Sequence, residues 1–365
     1  MKLISASDKK LKKRFLGFRK KLYRDARLYV DNNYFMLQEI FGGKLHFTKG
    51  KKLLPVFVEA DEGKILCEAV FFYAPELPDS LQLCFFESLP EQEEAVDLLL
   101  GEASRFAKEW IGGEAQLIVG LSGHVNYGLG LLASHYEEKN SFSSPGNPEY
   151  YNEYFRKRGF GGVWLNSYIA EGLTGRLDRY SHLLAKLDRS YSFRSFDKKH
   201  FERDAQIYTE LNNLCFADHR YYYKREAVDD AEMLKELFLF MKEDSLIYAF
   251  RGEEPAGFIL WYPDYNELAE RGEAFGVKHY FRNIFGKGKL RTGKVMEYGV
   301  LQKYRGSGLA LALIREAYRT IGEYGYDRVE SSWILAENED SNSFCSALCD
   351  GLYKKYVVYE KAVGV

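Results

Sequence analysis

The stretch from Lys294 to Ala310, KVMEYGVLQKYRGSGLA, constrains this chain more than any other. Its pattern predicts a short apolar strand over Val295 to Leu301, a tight turn over Gln302 to Arg305, and a helix opened by Gly306-Ser307-Gly308. Leu309, Leu311, Ala312, Leu313, Ala317, Tyr318 and Ile321 recur at helical spacing, and Gly325 stands where such a helix would stop. A strand, a glycine turn and a helix N-terminus together form an anion site. Backbone N–H groups without neighbouring side chains approach a ligand closely, and the first turn's donors and the helix dipole favour phosphate. Arg305 adds a cation whose fork suits phosphate oxygens.

The turn lacks the lysine of a GxxxxGK[ST] loop, and Gly306-Ser307-Gly308 is too short for the GxGxxG of a dinucleotide fold. The longer pattern, Val300-Leu-Gln-Lys-Tyr-Arg-Gly-Ser-Gly-Leu-Ala310, resembles the acyl-CoA pyrophosphate loop of the GNAT N-acetyltransferases, whose core is Arg/Gln-x-x-Gly-x-Gly/Ala. Arg305, Gly308 and Ala310 fill those places. Downstream, Ser332-Trp-Ile-Leu-Ala-Glu-Asn338 looks like the next strand and the start of a helix, and the Tyr353–Lys361 tail reads as a closing strand. The last two blocks are also similar to bacterial proteins of this length that carry two GNAT-like halves. The resemblance is strong over residues 190–365 and fainter before them.

The resemblance implies a mixed α/β fold of tandem GNAT-like domains, each a twisted, mostly antiparallel sheet flanked by helices. It implies a degenerate domain over residues 1–172, a linker over 173–189 and an N-acetyltransferase domain over 190–365. It further implies acetyl-CoA as acyl donor, held by the backbone near Val300, by Arg305, Gly306, Ser307, Gly308, Leu309 and Ala310, and by Asn338. A primary amine, on a small molecule or a peptide, would attack the thioester directly. Glu297, on the key strand, is the candidate base. The acid is a departure: where family members often place a tyrosine, seven residues after the asparagine, this chain has Cys345, so Tyr353 and Tyr356 are the candidates. Two other readings stay open: a module that binds acyl-CoA without turnover, and a transferase using aminoacyl-tRNA.

The rest of the chain bounds these expectations. At 365 residues there is room for two domains with their own cores. A net charge of −2 gives no footprint for nucleic acid. No 18-residue apolar run or secretory h-region is seen, so the expectation is a cytoplasmic protein without a membrane partner. Cys67, Cys84, Cys215, Cys345 and Cys349 read as reduced thiols, and no metal set is expected. In the first half, helical spacing after Asp8, strands over 53–59, 64–73 and 81–87, a helix over 91–110 and a strand over 115–119 repeat the order of a GNAT half. Where the second half has its glycine turn, the first has Glu87-Ser-Leu-Pro-Glu-Gln-Glu-Glu94, which repels phosphate. His124, between Ser122 and Asn126, is a weaker catalytic candidate. The insertion at 262–293, with Tyr265, His279, Tyr280 and Phe285, is long enough to have a function of its own.

Overall fold

A computed structural model of the chain describes every residue except 27, 174, 239, 240, 271, 272, 274–276, 285–289, 332 and 365. Phe285 and Ser332 therefore lie outside the described residues. The chain divides into two compact units, the first made of Met1–Leu165, Ala269–Val277 and Lys354–Val365, the second of Asn166–Leu268 and Lys278–Tyr353.

The first unit begins with β1 (Lys2–Ser5), α1 (Lys9–Leu22) and α2 (Tyr34–Gly42). Asp8 caps α1 by accepting from the Leu11 amide at 2.8 Å. Next come β2 (Lys52–Glu59), β3 (Ile65–Tyr73), β4 (Ser80–Ser88), α3 (Glu93–Ile111), β5 (Ala115–Val119), β6 (Leu131–Leu132), α4 (Tyr150–Lys157) and β7 (Gly161–Glu171), which passes into the second unit at Asn166. The strands run in the order β1-β2-β3-β4-β5, antiparallel except for the β4–β5 pair. Ala95, Val96, Leu99, Leu100, Ala103 and Ala107 of α3 recur at three- and four-residue spacing and bury that face against Val56, Val58, Phe71 and Leu83. The helix α2 is an addition to the order expected from sequence.

The second unit continues with α5 (Ser181–Leu187), β8 (Ser192–Ser195), α6 (Phe201–Cys215), α7 (Ala227–Leu237), β9 (Leu246–Arg251), β10 (Glu254–Pro263) and α8 (Val277–Ile284). It ends with β11 (Thr292–Val300), α9 (Leu309–Glu323), β12 (Arg328–Ser331), β13 (Ile334–Leu335) and α10 (Glu339–Leu348), and the last strand, β14 (Gly351–Val363), belongs to the first unit from Lys354 onward. Its strands lie in the order β7-β12-β11-β10-β9-β8, with only β11–β12 parallel among the described pairs. The apolar face of α9 packs so closely that a Cβ at Gly293 would stand 2.8 Å from Ile321.

The closing strands are exchanged. β5 of the first unit pairs with the end of β14, from Tyr359↔Val119 to Val363↔Ala115. β12 of the second unit pairs with the end of β7, from Arg328↔Glu171 to Glu330↔Ile169. Each sheet is thus finished by a strand from the other half of the sequence.

Candidate functional site

Three features of the second unit converge on β11. The first is a fork. β11 and β12 run parallel from Thr292↔Arg328 to Val295↔Ser331, and their register ends there. From Glu297 to Val300 the strand keeps β10 on one side and has no strand register on the other among the described residues. A bulge at Met296, between the Trp261↔Val295 and Leu260↔Glu297 pairs, bends the strand at the fork. Lys294 and Glu330, both buried, form a 3.7 Å ion pair at its base.

The second feature is the turn after β11. Gly306 and Gly308 adopt φ of 75° and 90°, the left-handed region that glycine enters without strain. A Cβ at Gly306 would meet nothing within 4 Å, whereas one at Gly308 would sit 3.3 Å from Leu187 on α5. Gly308 is the N-cap of α9 and supplies no side-chain cap. The amides of Gly306, Gly308 and Ala310 donate to no carbonyl outside the regular elements among the described residues. Ser307 Oγ donates to the Tyr304 carbonyl at 2.7 Å, and the Leu309 amide lies 3.3 Å from that oxygen. Tyr304 is fixed by donating to Glu254 at 2.7 Å. Arg305 turns back: its guanidinium donates to the carbonyls of Cys215 at 3.1 Å and Val300 at 3.4 Å. In this structure it braces the turn against α6 while remaining exposed. Gly306, Gly308 and Ala310 thus bring three amide donors to a helix start, an arrangement that suits an anion such as phosphate.

The third feature is Glu297. Its Oε2 accepts from the Tyr208 hydroxyl at 2.7 Å and from Asn212 Nδ2 at 2.8 Å, both on α6. The residue is half-buried. Burial, the largest influence, pushes its carboxyl above the usual glutamate range, and the Asn212 and Tyr208 hydrogen bonds pull the other way. Beside it, Arg225 and Asp230 form a fully buried 2.9 Å ion pair, and Thr209 donates to Asp230 at 2.8 Å. Tyr208 and Asn212 were not picked out from sequence. Their signal is two polar residues one turn apart on the face of α6 that buries Ala205, Leu211 and Cys215.

The remaining expected residues are placed as follows. Asn338 is the N-cap of α10, its Oδ1 accepting from the Ser341 amide at 3.1 Å. Tyr353 is in the second unit, with the Arg328 guanidinium 5.3 Å from its ring. Tyr356 is buried in the first unit, so it does not share a unit with Glu297. Tyr298, the next residue along β11, points to α10: its ring lies 5.9 Å from Phe344 and its hydroxyl bonds Ser341. Burial pushes its phenol up, so it keeps its proton at neutral pH. The cysteines are free, and burial raises Cys345 to about 12 and Cys349 to about 11. His124 is buried and folds back, its Nδ1 accepting from the Asn126 amide at 3.1 Å.

The first unit has the same fork in a different state. β4 and β5 are parallel from Ser80↔Gln116 to Leu83↔Val119, then part. A bulge follows, in which Phe85 takes φ of 55°, and after it comes Glu87, as Glu297 follows Met296. The open edge is taken by tyrosines of α4. The Ser88 amide donates to Tyr151 Oη at 2.7 Å, Tyr150 donates to the Ser88 carbonyl at 2.7 Å, and the Gln92 amide donates to Tyr154 Oη at 2.9 Å. Glu87 is closed in by Arg19 at 2.7 Å and by the hydroxyls of Tyr23 at 2.5 Å and Tyr151 at 2.8 Å. Burial pushes its carboxyl up to about 7 against the pull of Arg19. The amides at this strand end and turn are already occupied.

Residues 207–349 match the acetyltransferase (GNAT) family model. The chain is 22% identical over 272 residues to a bacterial ceramide synthase of Caulobacter vibrioides, covering 71% of this chain and 70% of that protein. It is 25% identical over 189 residues to protein YghO of Escherichia coli, covering 50% of this chain and 48% of that protein, so it spans about half the length of that relative. In fold it matches a tandem GNAT protein from the clavulanic acid biosynthesis pathway, with a TM-score of 0.57 at 12% identity, over 100% of this chain and 99% of that one. The chain has the tandem GNAT fold, and the stretch that matches the acetyltransferase (GNAT) family model, residues 207–349, contains Glu297 and the glycine turn.

Proposed function

We propose that this chain is an acyl-CoA-dependent N-acyltransferase whose second unit holds the donor, with acetyl-CoA as the first donor to test. The observation that carries the reading is the open edge of β11 from Glu297 to Val300, which leads directly into the Gly306–Ala310 donors at the start of α9. A pantetheine arm has amide groups that can pair with a strand edge, as an added strand would, and a pyrophosphate suits the turn. Arg305 keeps the turn closed, and Asn338 flanks the arm from the start of α10.

In the proposed step an amine nitrogen attacks the thioester carbonyl. The C–N bond forms, the C–S bond breaks, one ammonium proton passes to Glu297, and the thiolate leaves. A carboxyl raised by burial suits a base that must take that proton near neutral pH. Tyr353 remains a proposed proton donor to the thiolate; Tyr298 is a second, since its phenol is protonated and lies on the same strand as Glu297. The relative named a bacterial ceramide synthase supports nitrogen as the acceptor, because a ceramide is an amide. The tyrosine-filled fork of the first unit supports a structural or acceptor-shaping role there rather than donor binding.

The test is calorimetric titration with acetyl-CoA of the whole chain and of Arg305→Glu, followed by thiol release with candidate amines. Micromolar binding that the variant loses supports the reading. Absence of binding up to millimolar donor overturns it.

A further inference from the structure

Asn212 is satisfied at only one end. The residue is completely buried, its Nδ2 donates to Glu297 Oε2 at 2.8 Å, and its Oδ1 has no hydrogen-bond partner among the described residues. A buried amide is ordinarily paired at both ends, because an acceptor taken from water without a replacement keeps its desolvation cost. Turning the amide over gives no relief, since its oxygen would then face the ionised carboxylate, which accepts and cannot donate. Glu297 is in a matching state. Its Oε2 takes both hydrogen bonds from α6, and among the described residues none donates to Oε1. The amide group itself keeps Asn212 Oδ1 within about 5 Å of Oε2. Packing holds this arrangement in place: a Cβ at Gly299 would stand 2.9 Å from Cys215 Sγ, so α6 presses directly on the open stretch of β11.

From this juxtaposition we propose that Asn212 Oδ1 and Glu297 Oε1 together hold the acceptor's ammonium group, and that Asn212 makes the site selective for primary amines. The inference rests on the acyl-transfer reading and deepens it. One charged and one neutral oxygen on adjoining side chains suit a cation with more than one N–H, whereas a hydroxyl or a protonated tertiary amine offers a single hydrogen. The reaction accounts for every hydrogen on the nitrogen. Of the three ammonium protons, one passes to Glu297 as the C–N bond forms, one ends on the sulfur as the C–S bond breaks, and one stays on the amide nitrogen. The N–H on Asn212 is the one that stays, so it is held from binding to product without being transferred. Holding it fixes the direction of the lone pair that Glu297 frees by taking its proton. Asn212 thus touches the substrate and exchanges no proton with it.

The experiment compares Asn212→Leu with Tyr208→Phe in the full chain. Each removes one donor to Glu297 Oε2, and only the first also removes an acceptor. Thiol release from acetyl-CoA is followed with octylamine, tyramine and benzylamine, and the N,N-dimethyl derivative of the best of them serves as a dead-end inhibitor. In Asn212→Leu the KM for the primary amine should rise about ten- to a hundredfold beyond any rise in Tyr208→Phe, the worth of a hydrogen bond to a charged group. The Ki of the dimethyl derivative, whose single N–H goes to Glu297, should agree between the two variants within about twofold, as should the KM for acetyl-CoA. A primary-amine KM shared by the two variants, or an equal rise for both amines, would overturn the inference and leave acyl transfer standing. Acetyl-CoA that binds yet releases no thiol with any of these amines would overturn the acyl-transfer reading, and this inference with it.

Discussion

Replacing Glu297 by glutamine isolates the proposed base. The carboxamide has the same shape, and its oxygen can still accept from Tyr208 and Asn212 at the 2.7 and 2.8 Å now seen. Donor binding should therefore be unchanged while proton removal is lost. A positioned general base contributes about 10²- to 10⁴-fold, or about 2.7–5.5 kcal/mol of barrier, and kcat should fall by that amount with KM for the donor steady. The wild-type kcat/KM should rise with pH through a limb above the ordinary glutamate range, since burial raises that carboxyl and the ionised form is the active one. Glu297→Gln should abolish the limb. Tyr208→Phe removes a donor that favours the ionised form, so the limb should move further up. A charge-assisted hydrogen bond worth about 1.5–3 kcal/mol corresponds to about 1–2 pH units. The assay is thiol release across pH with saturating donor. Activity of Glu297→Gln within about threefold of wild type, or a limb that survives the change, would refute the assignment.

Other outcomes follow from the same geometry. Gly308→Val places a β-branched residue at φ of 90° and a Cβ 3.3 Å from Leu187, so acetyl-CoA affinity by calorimetry should drop at least about tenfold. Tyr151→Phe leaves the buried Ser88 amide without its acceptor and takes a donor from Glu87; denaturant unfolding should show a loss of about 2–3 kcal/mol. Glu87 should bind its proton in the folded state between the ordinary glutamate value and about 7, while the unfolded chain has released it. Stability should then fall as pH rises through that window, by at most about 1.4 kcal/mol per pH unit for this one group, and Glu87→Gln should flatten the slope.

The sequence made the site's backbone legible because its rules are local. Periodicity placed the first-half strands within a residue or so of β2, β3 and β4, and glycine spacing marked the turn before α9. The helix α2 was missed because nothing announces its start: Asn33 makes no side-chain cap there. The partners of Glu297 were hidden because Tyr208 and Asn212 lie some 85 residues away and look like ordinary core polar groups until α6 is packed on β11. The occupied fork of the first unit was only half visible. The glutamates after Phe86 argue against phosphate, but the tyrosines that take the amides come from α4, 62 or more residues on. The exchange of β7 and β14 leaves no local trace at all.

That exchange sets an order on synthesis. A ribosome has made β5 long before β14, and Gln116 meets Glu360 across 244 residues of chain. Until that strand emerges, the nascent first sheet carries an open edge at β5, with Leu117 and Val119 set to be buried there. Only the first sheet must wait in this way, because β7, the strand that closes the second sheet, has already been made when β12 emerges. Non-local closure of this kind is slow and leaves a window in which the exposed edge of β5 can seek other partners, a property of the topology rather than of any single residue.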